Sequence, residues 1–377
     1  MNRNLQIGIQ FKASTARLAS IRQSLNPTLT LTDTLNLPGG IDSTGLFVDP
    51  KSVIQILADW VTKNELRGQP AVFSVPNNSA FISWTKLPDV TGQELLSVAR
   101  YRLRKQFPKM GEHAVVAVAQ PSGSNEESLA IGVNRELIDQ RADIIDQAGL
   151  NPLAAEVEAQ AMLRIVDHGV RSSGNFDPHA NYCIVQIESL STNFIVIRSG
   201  KLSFMRTVRV GSRAIEEVVN SALSESEKSL EEILYAPTTW LFNRQFLSCL
   251  NSTFEPINIG EPTNALVKEF RLLLNYFRSL YPERSYEGVI NHLIVLGKIS
   301  QLRGFNRAIA DLLAIEMDDF NPLVGLALDL SHPTYLQTTK TSTQFTVPLG
   351  LAQAPYQVHP SQQVNHESEF RFIRQAV

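Results

Sequence analysis

Cysteine is scarce in this chain, with two in 377 residues, and Cys183 and Cys249 have no second cysteine at metal-ligand or redox spacing. A disulfide framework and a Cys-based metal site are therefore excluded, and both residues are expected as reduced thiols, Cys183 in an apolar run and Cys249 in a helix. No run of about 18 uncharged apolar residues occurs, and the start at Met1 carries no apolar signal stretch, so a soluble, cytoplasmic chain without a membrane span is expected. Charge of one sign is also lacking: the net charge is -3 and the pI about 6.2. That balance offers no global attraction to nucleic acid or to an anionic surface. The motif inventory is equally thin, because no HExxH pair, GxSxG elbow or GxGxxG fingerprint is present. Gly297 and Lys298 do not make a P-loop, since His292 and Ile299 stand where Gly and Ser or Thr are needed. His113, His168, His179 and His292 are scattered and define no ligand set.

What is present describes a large α/β protein. Apolar residues make up 43% and charged ones 19%, enough for two lobes, each with a core. Residues 5–22 alternate as a hairpin, and Asp49 followed by Pro50 opens a helix whose inner face is Val53, Ile56, Leu57, Trp60 and Val61. Two strands, 71–75 and 80–84, are joined through Pro76, Asn77 and Asn78. Thr91 and Glu94 read as a capping box for a helix running to Gln106. Strands at 114–119 and 129–133 follow, then a helix capped by Asn134 and ended by Gly149. Composition turns to Gly, Ser, Asn and Pro between His168 and Ala180, the expected lobe boundary. Beyond it three strands are predicted at 182–187, 193–198 and 202–209, then helices to Tyr281, the last with a stripe of Leu266, Phe270, Leu273, Phe277 and Tyr281. Leu293–Leu296 suits a strand buried on both faces, and the segment 354–377 a mobile tail.

The chain also echoes itself. Residues 9–18 and 185–194 both place a Gln between apolar residues, then a charged residue, a Ser/Thr turn and a second strand. Each copy opens one half of the chain, so a duplicated two-lobed protein is inferred.

Four segments carry a family resemblance: VFSVPNNSAFISWTKLP (72–88), IRSGKLSFMRTVRVG (197–211), EFRLLLNYFRSLYPE (269–283) and FTVPLGLA (345–352). In order and spacing the chain resembles the PilM family of type IV pilus assembly proteins, related to FtsA and more distantly to actin, from about residue 5 to 353. The resemblance implies an α/β, two-lobed actin-like fold, a duplicated ribonuclease H-like design. Its first lobe would cover 1–170, with an inserted subdomain at about 70–133. Its second lobe would cover 171–353, the final helix returning to the first. It also implies a location peripheral to the cytoplasmic side of the inner membrane. The implied partners are the N-terminal segment of a PilN-like membrane protein and components of the pilus motor, with no nucleic acid.

Actin-like ATPases hold Mg²⁺ and phosphate on two strand-turn-strand loops, and the resemblance places those loops at Gln10, Phe11, Lys12, Ala13, Ser14 and Thr15 and at Gln186, Ile187, Glu188 and Ser189. Both loops lack the family's aspartate and glycine. An amide carries no charge for a divalent cation, and Glu188 places an anion where phosphate would lie. The adenosine turn retains one glycine in Gly297, Lys298, Ile299, Ser300. No cofactor is therefore expected, with ATP and Mg²⁺ bound only if the cleft tolerates these substitutions. Lys12 and Glu188 could pair or remain two solvated side chains. The expected function is a non-enzymatic scaffold of the pilus machine; the alternatives are a working actin-like ATP-binding protein or a type II secretion component of the same lineage. Phe81, Trp84 and Leu87 are candidates for the wall of the peptide groove. Arg100, Arg102, Arg104, Lys105 and Lys109 crowd one helix end, either as helix-dipole partners or as a contact for acidic lipid or an acidic partner, with Arg100 and Arg104 the named candidates.

Overall fold

The computed structural model describes residues 5–119, 127–172, 177, 179–198, 200–223, 240–243, 246–249, 257–282, 285–302, 305–318, 320–329 and 341–355. The tail expected beyond 354 falls outside them from residue 356 on. Two compact units emerge: Met1–Ala161 with Leu326–Thr334 and Val347–Val377, and Met162–Gly325 with Tyr335–Thr346.

The first unit is built on strands β1 (Leu5–Phe11), β2 (Thr15–Arg22), β3 (Thr28–Asn36), β4 (Pro70–Val75) and β8 (Asn151–Val157). A short strand, β17 (Ala327–Leu328), completes a sheet of order β17-β3-β2-β1-β4-β8. β1 runs antiparallel to β2 and parallel to β4, so it is a central strand and all seven of its residues are buried. Helix α1 (Pro50–Lys63) starts where Asp49 and Pro50 predict, the Asp49 carboxylate accepting the Ser52 amide at 3.2 Å, and it buries Val53, Leu57, Trp60 and Val61. Helix α3 (Arg135–Gln147) ends before Gly149, which takes φ +93°. Asn134 stands at its N-cap position, yet its side chain accepts the amide of Gly111 at 2.9 Å and caps nothing.

A smaller antiparallel sheet of order β5-β7-β6 (Ala80–Thr85, Ser128–Val133, Val115–Ala119) carries helix α2 (Gly92–Gln106) on one face. Leu95, Ala99 and Leu103 of α2 pack with Met110, Val116, Val118 and Ala130 in a core of their own. The two strands joined at Pro76 thus part company: β4 pairs with β1 and β8, and only β5 enters the small sheet. The inserted sheet therefore begins at Ala80, not near residue 70. Thr91 precedes α2 in an extended conformation, but its side chain makes no capping bond, and Gly92 beside it adopts φ +61°.

Helix α4 (Glu158–Ser172) follows β8 directly. The second unit repeats the first one's order. Strands β9 (Asn181–Ile187), β10 (Thr192–Arg198), β11 (Lys201–Val208), β15 (His292–Leu296) and β16 (Glu316–Met317) form a sheet β11-β10-β9-β15-β16. Helices α5 (Arg213–Leu223), α6 (Gly260–Ser279) and α7 (Phe305–Leu313) belong to this unit, and the predicted stripe of α6 puts Leu266, Phe270 and Phe277 into its core. Fully burying each such side chain contributes about 1.5–3 kcal/mol. Between α5 and α6 lies a small antiparallel sheet, β12-β13-β14 (Trp240–Asn243, Phe246–Cys249, Ile257–Asn258), in a region expected to be helical. Cys249 accordingly lies in a strand. Cys183 is a buried free cysteine, and burial pushes its thiol up well above the usual range. Helix α8 (Thr346–Ala352) closes the described chain, returning to the first unit from Val347 on.

Candidate functional site

The two hairpin turns that the resemblance assigns to phosphate are the same object built twice. In the first, Lys12 N–H donates to the Thr15 carbonyl at 2.8 Å; in the second, Glu188 N–H donates to the Ser191 carbonyl at 2.9 Å. Gln10 sits opposite Arg17 in the first hairpin, and Gln186 opposite Asn193 in the second. One constant shift along the chain relates all these pairs, so the echo holds at the level of register.

The first turn is anchored by a cluster of buried polar groups. Gln10 and Glu158 are 0% and 1% exposed. The Gln10 amide donates to Glu158 Oε1 at 3.0 Å, and the Lys12 ammonium lies 3.2 Å from Glu158 Oε2. Ser74 Oγ stands 3.5 Å from Oε1. Behind it, fully buried Arg141 donates to the Ser74 carbonyl and lies over the Phe11 ring, 5.7 Å from its centroid. Burial pulls the Arg141 guanidinium down to about 10, opposed by the charge of Glu158, so it remains a cation at neutral pH. Asn77 joins the cluster by accepting the Ala159 amide at 2.9 Å at the start of α4.

The second turn is satisfied by backbone. Its Glu188 and Ser189 carbonyls accept the amides of Ser212 and Arg213 at 2.9 and 2.8 Å, which occupies two of the orphan donors at the start of α5. Gln186 Oε1 accepts from the Asn193 amide at 2.9 Å, and Asn193 Oδ1 accepts from the half-buried Thr207 hydroxyl at 2.7 Å, a side-chain relay across β9, β10 and β11. Gly297 takes φ +109°, and a Cβ there would stand 2.1 Å from the Ile187 carbonyl oxygen, so only glycine fits. Its carbonyl accepts the hydroxyls of Ser300 at 2.7 Å and Thr343 at 3.3 Å. Lys298 is half-buried and Ser189 exposed; in the first turn Ser14 is exposed and Thr15 half-buried.

A magnesium-phosphate group finds a poor match in these donor sets. Both oxygens of Glu158 already receive donors, one of them a protein cation, and a metal would have to displace Lys12. No group of three or more His, Cys, Asp or Glu able to hold a metal ion exists among the described residues. Glu158 and Arg141 were missed from the sequence. An acid in a first helical turn is commonplace, which hid Glu158. Arg141 did leave a signal, as the one cation on the apolar stripe of Leu137, Ile138, Ile144 and Ile145.

The partner candidates separate. Phe81 and Leu87 pack against the core beneath α2, Phe81 with its ring centroid 5.6 Å from that of Phe107. Trp84, half-buried, pairs with Leu129 and points to the other face of the small sheet. Arg104 is exposed and lies 3.9 Å from Glu112, and Arg100 is half-buried. No helix among the described residues is long and apolar enough to cross a membrane.

Two sheets that share a five-strand order, each opening on a tight hairpin turn, define a duplicated protein of the actin-like class. Residues 110–355, more than half of the chain, match the family described as type IV pilus assembly protein PilM, and the chain belongs to that family. Among solved structures it is similar to a PilM-PilN type IV pilus biogenesis complex, with a TM-score of 0.70 and 19% identity over 92% of this chain and 97% of that one. The MreB5 of Spiroplasma citri bound to ADP matches at TM-score 0.48 and 11% identity, covering 93% and 95%. The ethanolamine utilization protein EutJ from Carboxydothermus hydrogenoformans matches at 0.47 and 14%, covering 92% and 89%. A comparison with curated protein sequences found no match.

Proposed function

We propose that this chain is a non-hydrolysing scaffold of a type IV pilus assembly machine, peripheral to the inner membrane, that holds the N-terminal segment of a PilN-like membrane protein. Family membership supports the machine, and the PilM-PilN complex supports the kind of partner. The observation that carries the scaffold reading is the clamp on Glu158, whose carboxylate binds the Gln10 amide and the Lys12 ammonium of the first hairpin. A loop held by its own protein has no use for Mg²⁺ to organise it. Phe81 and Leu87 pack in the core under α2, and Trp84, on the other face of the small sheet, is the candidate for the wall of the peptide groove. The test is capture of the full chain on an immobilised N-terminal segment of the PilN-like protein from the same genome, with and without Mg·ATP. Capture that is unchanged by nucleotide is the expected result. Capture only with Mg·ATP would favour the working ATP-binding protein, and no capture under either condition would remove the PilN-like partner.

A further inference from the structure

Cations on α2 exceed what its helix needs. Arg104 and Lys105 lie in its last turn, where the dipole favours positive charge, but the effect fades within that turn and does not reach Arg100 and Arg102. From Leu95 to Gly111 the chain carries Arg100, Arg102, Arg104, Lys105 and Lys109 and no acid, in a protein whose net charge is -3. Leu95, Ala99 and Leu103 bury the opposite side of the helix, which fixes the side turned to solvent. Tyr101, 69% exposed, stands at the centre of that side. At 3.6 residues per turn Arg104 and Lys105 lie one turn on from it, and Arg100 and Arg102 flank it. Glu94 lies two turns earlier on the same side and Glu112 3.9 Å from Arg104; both are exposed, and such pairs hold weakly.

We propose that this face of α2 binds the anionic phospholipid headgroups of a bilayer directly. The shape of the feature favours lipid over an acidic protein. This is the convex outer side of a helix, where the cations Arg102, Arg104 and Lys105 and the single aromatic stand exposed side by side. A headgroup layer asks for dispersed Lys and Arg with an amphipathic ring at their level. The contact proposed needs no PilN-like partner.

The test is sedimentation of the full chain with vesicles of phosphatidylcholine alone and of phosphatidylcholine mixed with phosphatidylglycerol. Binding to the mixed vesicles only, lost near 1 M salt where the screening length is about 3 Å, is expected. Each cation removed costs about fivefold in partitioning, so Arg104→Gln with Lys105→Gln lowers it roughly 25-fold. Tyr101→Ala lowers it a few-fold, and Lys268→Gln with Arg278→Gln, exposed cations of α6, leave it unchanged. Equal binding to both vesicles, binding to neither, or an equal loss in the α6 pair overturns the proposal. Retention on poly-glutamate resin without vesicle binding would assign the face to an acidic protein and overturn it too. Capture of the PilN-like segment is read without vesicles, so either result can fail alone.

Discussion

At the scale of single residues, Glu158 has two cations to answer. Arg141 is 1% exposed, and Lys12 is 22% exposed on its side chain. Removing the shared anion takes the opposing charge away from buried Arg141 and the carboxylate away from Lys12, while removing Lys12 leaves Glu158 still opposed by Arg141. Breaking a buried pair from the more buried side typically costs 3–5 kcal/mol. Glu158→Gln is therefore expected to lower unfolding free energy by about 3 kcal/mol or more, and Lys12→Met by about 1 kcal/mol. Urea titrations of the two variants give the order, and an equal or reversed order would show that the clamp is not centred on Glu158. Gln10 and Lys12 were legible in the sequence because the resemblance assigns the first loop to a local run of residues. Their partner was not, since Glu158 lies 146 residues beyond Lys12 and only the pairing of β4 with β8 brings it near.

At the scale of elements, one side of β1 explains why the chain must return at its end. Gln6, Gly8 and Gln10 share that side by strand alternation. Gln6 donates to the carbonyls of Leu351 at 3.0 Å and Ala354 at 2.9 Å; Leu351 also accepts the Ala354 amide at 3.1 Å, so the Gln6 side chain ties the last turn of α8 to β1. A Cβ on Gly8 would stand 2.0 Å from the Pro348 carbonyl oxygen and 2.7 Å from the Ala352 nitrogen, so α8 lies backbone to backbone on the strand. Backbone cannot yield as a side-chain tip can, and Gly8→Ala is expected to cost about 3 kcal/mol, the upper end for overpacking. Gln6→Ala, which removes the donor from the Ala354 carbonyl and one of two from the Leu351 carbonyl, costs about 1–3 kcal/mol. Urea midpoints measure both, and a near-neutral Gly8→Ala would mean that α8 does not seat on β1. Elements with long periodicity or a clear start, such as α1 and α6, were legible from the sequence. The strands β12 to β14 were not, because runs of two to four residues are too short to separate a period of 2 from one of 3.6.

At the scale of the molecule, the duplication is the firmest result and the one most visible in the sequence, because it leaves a mark twice. The order β3-β2-β1-β4-β8 recurs as β11-β10-β9-β15-β16, and Gln10 and Gln186 hold the same register position in the two hairpins. On the proposed scaffold reading, an amide at the same register position of both copies argues for a change of use more strongly than one such residue would. The two copies are nevertheless stabilised differently, the first by the Glu158 clamp and the second by the Gln186–Asn193–Thr207 chain and the amides of α5. If both arrangements stand in for ligand, the folded chain gains nothing from nucleotide. A site with a Kd of about 10 µM would add about 2.7 kcal/mol at roughly 1 mM Mg·ATP, by mass action on the native state. For a chain of this size that amounts to a rise in melting temperature of about 2 °C or more. The expected shift is zero within error, with no phosphate released above buffer. A reproducible rise of that size would return the chain to the nucleotide-binding members of its class and leave its fold and family untouched.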